Sequence, residues 1–221
     1  MVTDASLKRT PLHPVHLELG ARLVPFGGWD MPVQYRTGVL AEHHAVRERA
    51  GLFDIGHMGQ FGVEGPDALE FIQWVSTHDA ARLDVGAAQY SLLCDETGGV
   101  LDDIIVYRLA ETRYLIIVNA GNTDADWNWI ERQLRAPGRG VNPDRVLLQR
   151  LAPPRTLVAL QGPEAVRALR ALTADDVGAL ANYHAIETLV AGVPAIVART
   201  GYTGERGFEI SFNEAHARRV R

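Results

Sequence analysis

The chain has 221 residues, 47% of them hydrophobic, and a formal net charge of -5. That length and composition suffice for a sizeable core in one large domain or two smaller ones. The acidic balance argues against a protein held to nucleic acid by a basic stripe, and the single Cys94 excludes an internal disulfide framework and a cysteine-ligated zinc site.

The first nine residues lack the apolar core and cleavage site of a signal peptide. No run approaches the ~18 apolar residues of a membrane span, so a cytoplasmic chain is expected. A short helix is predicted over 12–19, ended by Gly20. Residues 23–35 carry two prolines and two glycines among aromatics, which predicts an ordered but irregular loop. A helical pattern follows over 38–50, and 52–63 alternates as strand material. His43, His44 and His57 do not make a metal site: adjacent helical histidines point about 100° apart, and no carboxylate-histidine spacing accompanies them. His57 is expected to be a core or turn histidine.

Three strands are predicted over 90–94, 100–109 and 114–119, the first two joined by the turn residues Asp95-Glu-Thr-Gly-Gly99. Cys94 lies in the first apolar run, which predicts a buried thiol. Asp102 and Asp103 open the second strand. Successive strand residues face opposite ways, so only one of the two can be buried, and the apolar neighbours on both faces do not decide which. Beyond residue 119 a helix starts at Asn122-Thr-Asp124 and ends at Pro137-Gly138, with Trp127 and Trp129 too close in sequence to share a face. Residues 136–144 read as a surface loop, 146–150 and 156–161 as strands about an irregular crossing at 152–155, 173–180 as a helix, and 183–190 with 193–199 as a strand pair. The Gly-rich stretch 200–206 enters a strand to 212. It lacks the lysine and following helix of a phosphate loop. A last helix begins near Asn213.

An internal echo joins two of these parts. Phe61-Gly-Val-Glu-Gly-Pro-Asp-Ala-Leu-Glu-Phe and Val158-Ala-Leu-Gln-Gly-Pro-Glu-Ala-Val-Arg-Ala both read strand, Gly-Pro, acid, helix. In each, the acid falls in the first helical turn, where the helix dipole favours it. Two related α+β subdomains are implied, each laying helices on an antiparallel sheet.

In these residues the chain resembles a known family, the aminomethyltransferases, T-proteins of the glycine cleavage system. The matching blocks are Arg9-Thr-Pro-Leu12, residues 24–35, Leu52-Phe-Asp-Ile55 with His57-Met58, Gln89-Tyr90 through Tyr107, Val118-Asn-Ala-Gly121, Leu160-Gln-Gly-Pro163 and residues 200–210. The resemblance implies a tetrahydrofolate-binding α+β fold of three domains in a cloverleaf, the third absent from this chain. Residues 1–50 with 145–221 would form the first subdomain and 51–144 the second. It implies tetrahydrofolate as cosubstrate and the lipoylated H-protein as partner; from charge, hydropathy and residue spacing no metal, nucleic acid or membrane is expected. The family's active-site aspartate falls on Asp103 and leaves Asp102 as its outward neighbour. The folate contacts fall on Met58, Tyr90, Val118, Asn119, Tyr202 and Glu209.

A carboxylate such as Glu209 matches the paired donors of a pterin edge, and Tyr90 and Tyr202 offer flat apolar surface with a polar tip. Asp103 would orient the folate nitrogens and stabilise a cationic iminium-like species, a role preferred over that of general acid because a carboxylate is anionic at neutral pH. The alternatives are a folate domain like those of sarcosine and dimethylglycine dehydrogenases, or a non-catalytic folate-binding regulator. Gly56 stands where the family commonly has serine, which loosens a local hydrogen bond. Without a third domain the folate cleft would lack one wall.

Overall fold

A computed structural model describes residues 6–137, 140–151 and 155–220. In chain order the elements are α1 (His13–Glu18), β1 (Arg22–Phe26), β2 (Trp29–Gln34), α2 (Val39–Glu48), β3 (Gly51–Asp54), β4 (Gly59–Glu64), α3 (Ala68–Val75), β5 (Ala88–Cys94), β6 (Val100–Ala110) and β7 (Arg113–Val118). Then come α4 (Thr123–Arg135), β8 (Leu147–Arg150), β9 (Arg155–Gln161), α5 (Ala165–Arg170), β10 (Ala185–Val190), β11 (Val193–Ala198), β12 (Gly207–Asn213) and α6 (Ala217–Val220). The class is α+β with antiparallel sheets, as expected. Among the described residues no helix is long and apolar enough to cross a membrane.

The chain divides into two compact units: Met1–His57, Pro153–Asn182 and Ile186–Arg221 form the first, Met58–Ala152 with Tyr183–Ala185 the second. Each holds a five-stranded sheet, ordered β10-β11-β12-β9-β3 in the first and β5-β6-β7-β4-β8 in the second. The echo in the sequence is this topology. Each repeat runs strand, helix, then three strands; β3 pairs with β9 within the first unit's sheet, and β8 with β4 within the second's.

Glycine is required where each repeat turns from strand to helix. Gly65 and Gly162 hold φ of 134° and 127°, and an added Cβ would sit 2.1 Å from the Arg145 carbonyl oxygen in one case and 2.6 Å from those of Arg49 and Val46 in the other. No L side chain fits such a place. The carbonyls of the two glycines then accept from the Ala68 and Ala165 amides, both at 3.0 Å, which launches the helices.

In the second unit Phe71 and Ile72 of α3 and Ile130 and Leu134 of α4 form one buried cluster with Phe61, Ile104, Val106 and Ile116. In the first unit Leu169 of α5, Val15 of α1 and Val220 of α6 cluster with Val158, Val193, Phe208 and Phe212. Both cores follow the alternation of the strands.

Several expectations need correction. Residues 23–35 are a regular hairpin of β1 and β2, not an irregular loop. Gly27 and Gly28 both take positive φ, 55° and 84°, the geometry of a two-residue hairpin turn, and a two-stranded ribbon has free edges that tolerate Pro25 and Pro32. Residues 52–63 are two strands, because the chain breaks between Asp54 and Gly59. The helix expected at 173–180 is a set of turns. There Thr173, Asp175 and Asp176 bond locally, Asp176 accepting from the Gly178 amide at 3.2 Å and from Arg170 at 2.6 Å; such bonds compete with helix. Cys94 is half-buried and free, and Trp127 and Trp129 both pack partly on the core. Most of the crossing expected at 152–155 and part of the 136–144 loop lie outside the described residues.

Candidate functional site

The two aspartates at the start of β6 settle on opposite faces of the second sheet. Asp102 shares the face of Ile104 and Val106, which are core residues, and is itself 5% exposed. Asp103 lies on the other face and is half-buried. The expectation that Asp102 is the outward neighbour is therefore wrong: Asp102 is the buried carboxylate.

Burial is tolerated because N–H donors converge on Asp102. Its Oδ2 accepts from the Asn119 backbone amide at 2.9 Å, and its Oδ1 from the side-chain amides of Asn119 at 3.0 Å and Asn122 at 2.7 Å. Charge-assisted bonds of this kind are the strong ones. Asn122 occupies the N-cap position of α4 but makes no capping bond with its side chain, which is turned to Asp102 instead. A cap is worth about 1 kcal/mol, and that local stabilisation is forgone.

Asn119 joins the two faces. It is the first residue past β7, and its amide nitrogen is shared with Asp103, lying 3.1 Å from Oδ1 and 3.1 Å from the carbonyl oxygen. On the Asp103 face, the register pairs Tyr90 with Ile105 and Leu92 with Asp103, so Tyr90 and Asp103 are diagonal neighbours. The Tyr90 hydroxyl is hydrogen-bonded to Asp103; partial desolvation first, and that carboxylate second, push its pKa up. Tyr90 remains 49% exposed. Asp103, Asn119 and Tyr90 are thus gathered by three adjacent strands.

The other expected contacts are placed as follows. Met58 is half-buried just before β4. Val118 is fully buried in the core, side chain and backbone alike, and is paired with Gly59 in the β4–β7 ladder. In the first unit Tyr202 is 66% exposed and lines a cleft of about 630 Å³ with Pro32, Val39, Val46 and Phe53. Glu209 on β12 is 5% exposed and accepts from the Thr200 hydroxyl.

Asp126 went unnoticed in the sequence, where Asn122 reads only as a helix start. Asp126 lies on the buried stripe of α4 with Ile130, Gln133 and Leu134 and is 2% exposed. A carboxylate on an apolar helical stripe was the available signal. Its Oδ2 is buried and meets no N–H or O–H donor among the described residues; burial, and then the hydrogen bond and charge of Asp102, push its pKa up to about 8.

The first unit buries a carboxylate of the opposite kind. Asp54 accepts from Thr10 and the Gly56 amide and pairs with His16 at 2.8 Å. Burial pushes Asp54 up, but these hydrogen bonds outweigh it and hold the group below the usual carboxylate range. His57, half-buried, meets Phe26 edge-on at 5.7 Å, and burial lowers its pKa. Among the described residues no group of three or more His, Cys, Asp or Glu is placed to hold a metal ion.

Known proteins share this fold. The family described as GCVT N-terminal domain matches residues 12–221. The aminomethyltransferase of Symbiobacterium thermophilum is 54% identical over 210 residues, covering 94% of this chain and 55% of that protein. That of Desulforamulus reducens is 47% identical over 214 residues, covering 97% and 56%. Among solved structures, glycine cleavage system aminomethyltransferase T from Bartonella henselae has a TM-score of 0.88 at 40% identity, over 97% of this chain and 56% of that one. A chain of the heterotetrameric sarcosine oxidase of a Corynebacterium, 18% identical with a TM-score of 0.59, shows the fold alone. The chain spans about half the length of the curated relatives it matches. On a match that takes in nearly all of its residues, the chain belongs to the GCVT N-terminal domain family.

Proposed function

We propose that the protein carrying this chain is a tetrahydrofolate-dependent aminomethyltransferase of the glycine cleavage system. It takes the methylene of an aminomethyl group held on the lipoyl arm of the H-protein, passes it to tetrahydrofolate and releases ammonia. The observation that supports this most is the half-buried Asp103 carboxylate with Tyr90 and Asn119 hydrogen-bonded to it, in a chain of this family.

An anionic carboxylate held by two neighbours needs little reorganisation when positive charge develops beside it, which is the basis of electrostatic catalysis. Asp103 orients the attacking folate nitrogen and stabilises the iminium-like methylene as the lipoyl sulfur departs. Met58, Tyr90, Val118, Asn119, Tyr202 and Glu209 are the proposed folate contacts. Glu209 would bind the paired donors of the pterin edge. The setting is cytoplasmic.

Ammonia release dependent on the lipoylated carrier, measured with the protein carrying this chain, tests the reading. Asp103→Asn is expected to lose turnover and still bind tetrahydrofolate. Turnover that ignores the carrier would favour a formaldehyde-capturing folate domain instead, and full turnover in Asp103→Asn would remove Asp103 from the chemistry.

A further inference from the structure

The buried pair behind Asp103 has a purpose that its cost alone makes visible. Asp102 and Asp126 face each other across the β6–α4 packing, both almost fully buried. Two carboxylates in hydrogen-bond contact away from water cannot both be ionised, so one carries a proton. Among the described residues three N–H groups point at Asp102 and none at Asp126 Oδ2; Asp126 therefore holds the proton and donates it.

The fold does not ask for this pair. Aligning Gly65 on Gly162 and counting through the strand registers puts Asp102 and Asp103 at the places of Val193 and Pro194 in the other sheet. Val193 is 1% exposed in a wholly apolar cluster. An aliphatic residue thus serves the same place in the same topology, and burying a carboxylate costs stability where an aliphatic side chain does not.

We propose that Asp126 is a positioning residue for the carboxylate site: the proton it shares with Asp102 holds that carboxylate where it clamps the Asn119 amide against Asp103. This deepens the reading of Asp103 as the working carboxylate and rests on it. The charged groups about Asp126 are Asp102 on β6, Asp103 behind Asn119 on the opposite face, and Arg132 on α4. The Arg132 guanidinium stacks on Trp129 at 4.6 Å and lines, with Asp126, Leu101 and Asn122, a hollow of about 190 Å³. When Asp126 loses its proton the donor becomes a second anion, Asp102 is repelled, and Asn119 is released.

The test follows the carboxyl carbon of Asp126 and the side-chain amide signals of Asn119 by NMR across pH 6 to 10, in the protein carrying this chain. Expected is one shared midpoint near 8, with kcat/KM for tetrahydrofolate falling about tenfold per pH unit above it. Asp126→Asn keeps a donor but cannot titrate, so the Asn119 signals and the alkaline limb should both become flat. Asp126→Leu should lower kcat, with Asp126→Asn recovering it. Asn119 signals that ignore the titration of Asp126, or an alkaline limb unchanged in Asp126→Asn, would overturn the proposal. A wild-type protein that shows the shared midpoint but no folate turnover supports the clamp and overturns only the proposed reaction.

Discussion

The two units run the same path of strand, Gly-Pro turn, helix and three strands, yet they bury their aspartates in opposite states. Asp54 in the first is anionic, tied to His16, Thr10 and the Gly56 amide. Asp126 in the second faces another carboxylate and is held neutral by burial. A buried carboxylate surrounded by donors ties α1 and the residues before it to β3, whereas one opposite a like charge costs stability and earns retention by what it positions. The matching places, Val193 and Pro194 against Asp102 and Asp103, show that the topology accepts either chemistry.

The largest expected effect separates those places by activity. Asp103→Asn should reduce carrier-dependent turnover by about 10²–10⁴, while Pro194→Asn, at the equivalent place, should leave kcat unchanged. Equal losses would erase the distinction between the sheets.

Next come the pH dependences, which have opposite signs. Asp126 has its pKa raised in the folded state, so the wild type retains a proton that the unfolded chain sheds above about pH 4. Wild-type stability relative to Asp126→Asn should fall by about 1.4 kcal/mol per pH unit from there, levelling near pH 8 where the folded form also ionises. Asp54 has its pKa lowered. Its contribution relative to Asp54→Asn should be full above the unfolded value of about 4 and be lost as pH falls through the folded value. Urea midpoints of the three proteins across pH 3 to 9 read both slopes.

The shared turns should respond alike. Gly65→Ala and Gly162→Ala each force a side chain onto a backbone of strongly positive φ and a carbonyl oxygen, with a loss of about 1–3 kcal/mol from the backbone alone. One tolerated and one lethal to folding would break the equivalence of the repeats. The smallest effect belongs to the surface of the second unit. Arg150→Ala removes an ion pair to Asp124 at 2.9 Å and stacking over Trp127 at 5.0 Å, and should cost about 1 kcal/mol or less in thermal unfolding.

Periodicity and turn chemistry by themselves determined the strands over 90–119, the helix after Asn122 and the twofold echo at Gly-Pro, because these patterns act within a few residues of chain. They also determined that Asp102 and Asp103 must part company across the sheet. Tertiary structure alone decided which of them is buried: Ile104 and Ile105 are equally apolar in sequence, and only the packing of α3 and α4 against one face makes Asp102 the inward one. The same holds for the hairpin at 22–34, where free edges overrode the prolines, and for Asp126, which shares a proton only because β6 and α4, distant in sequence, place two carboxylates together.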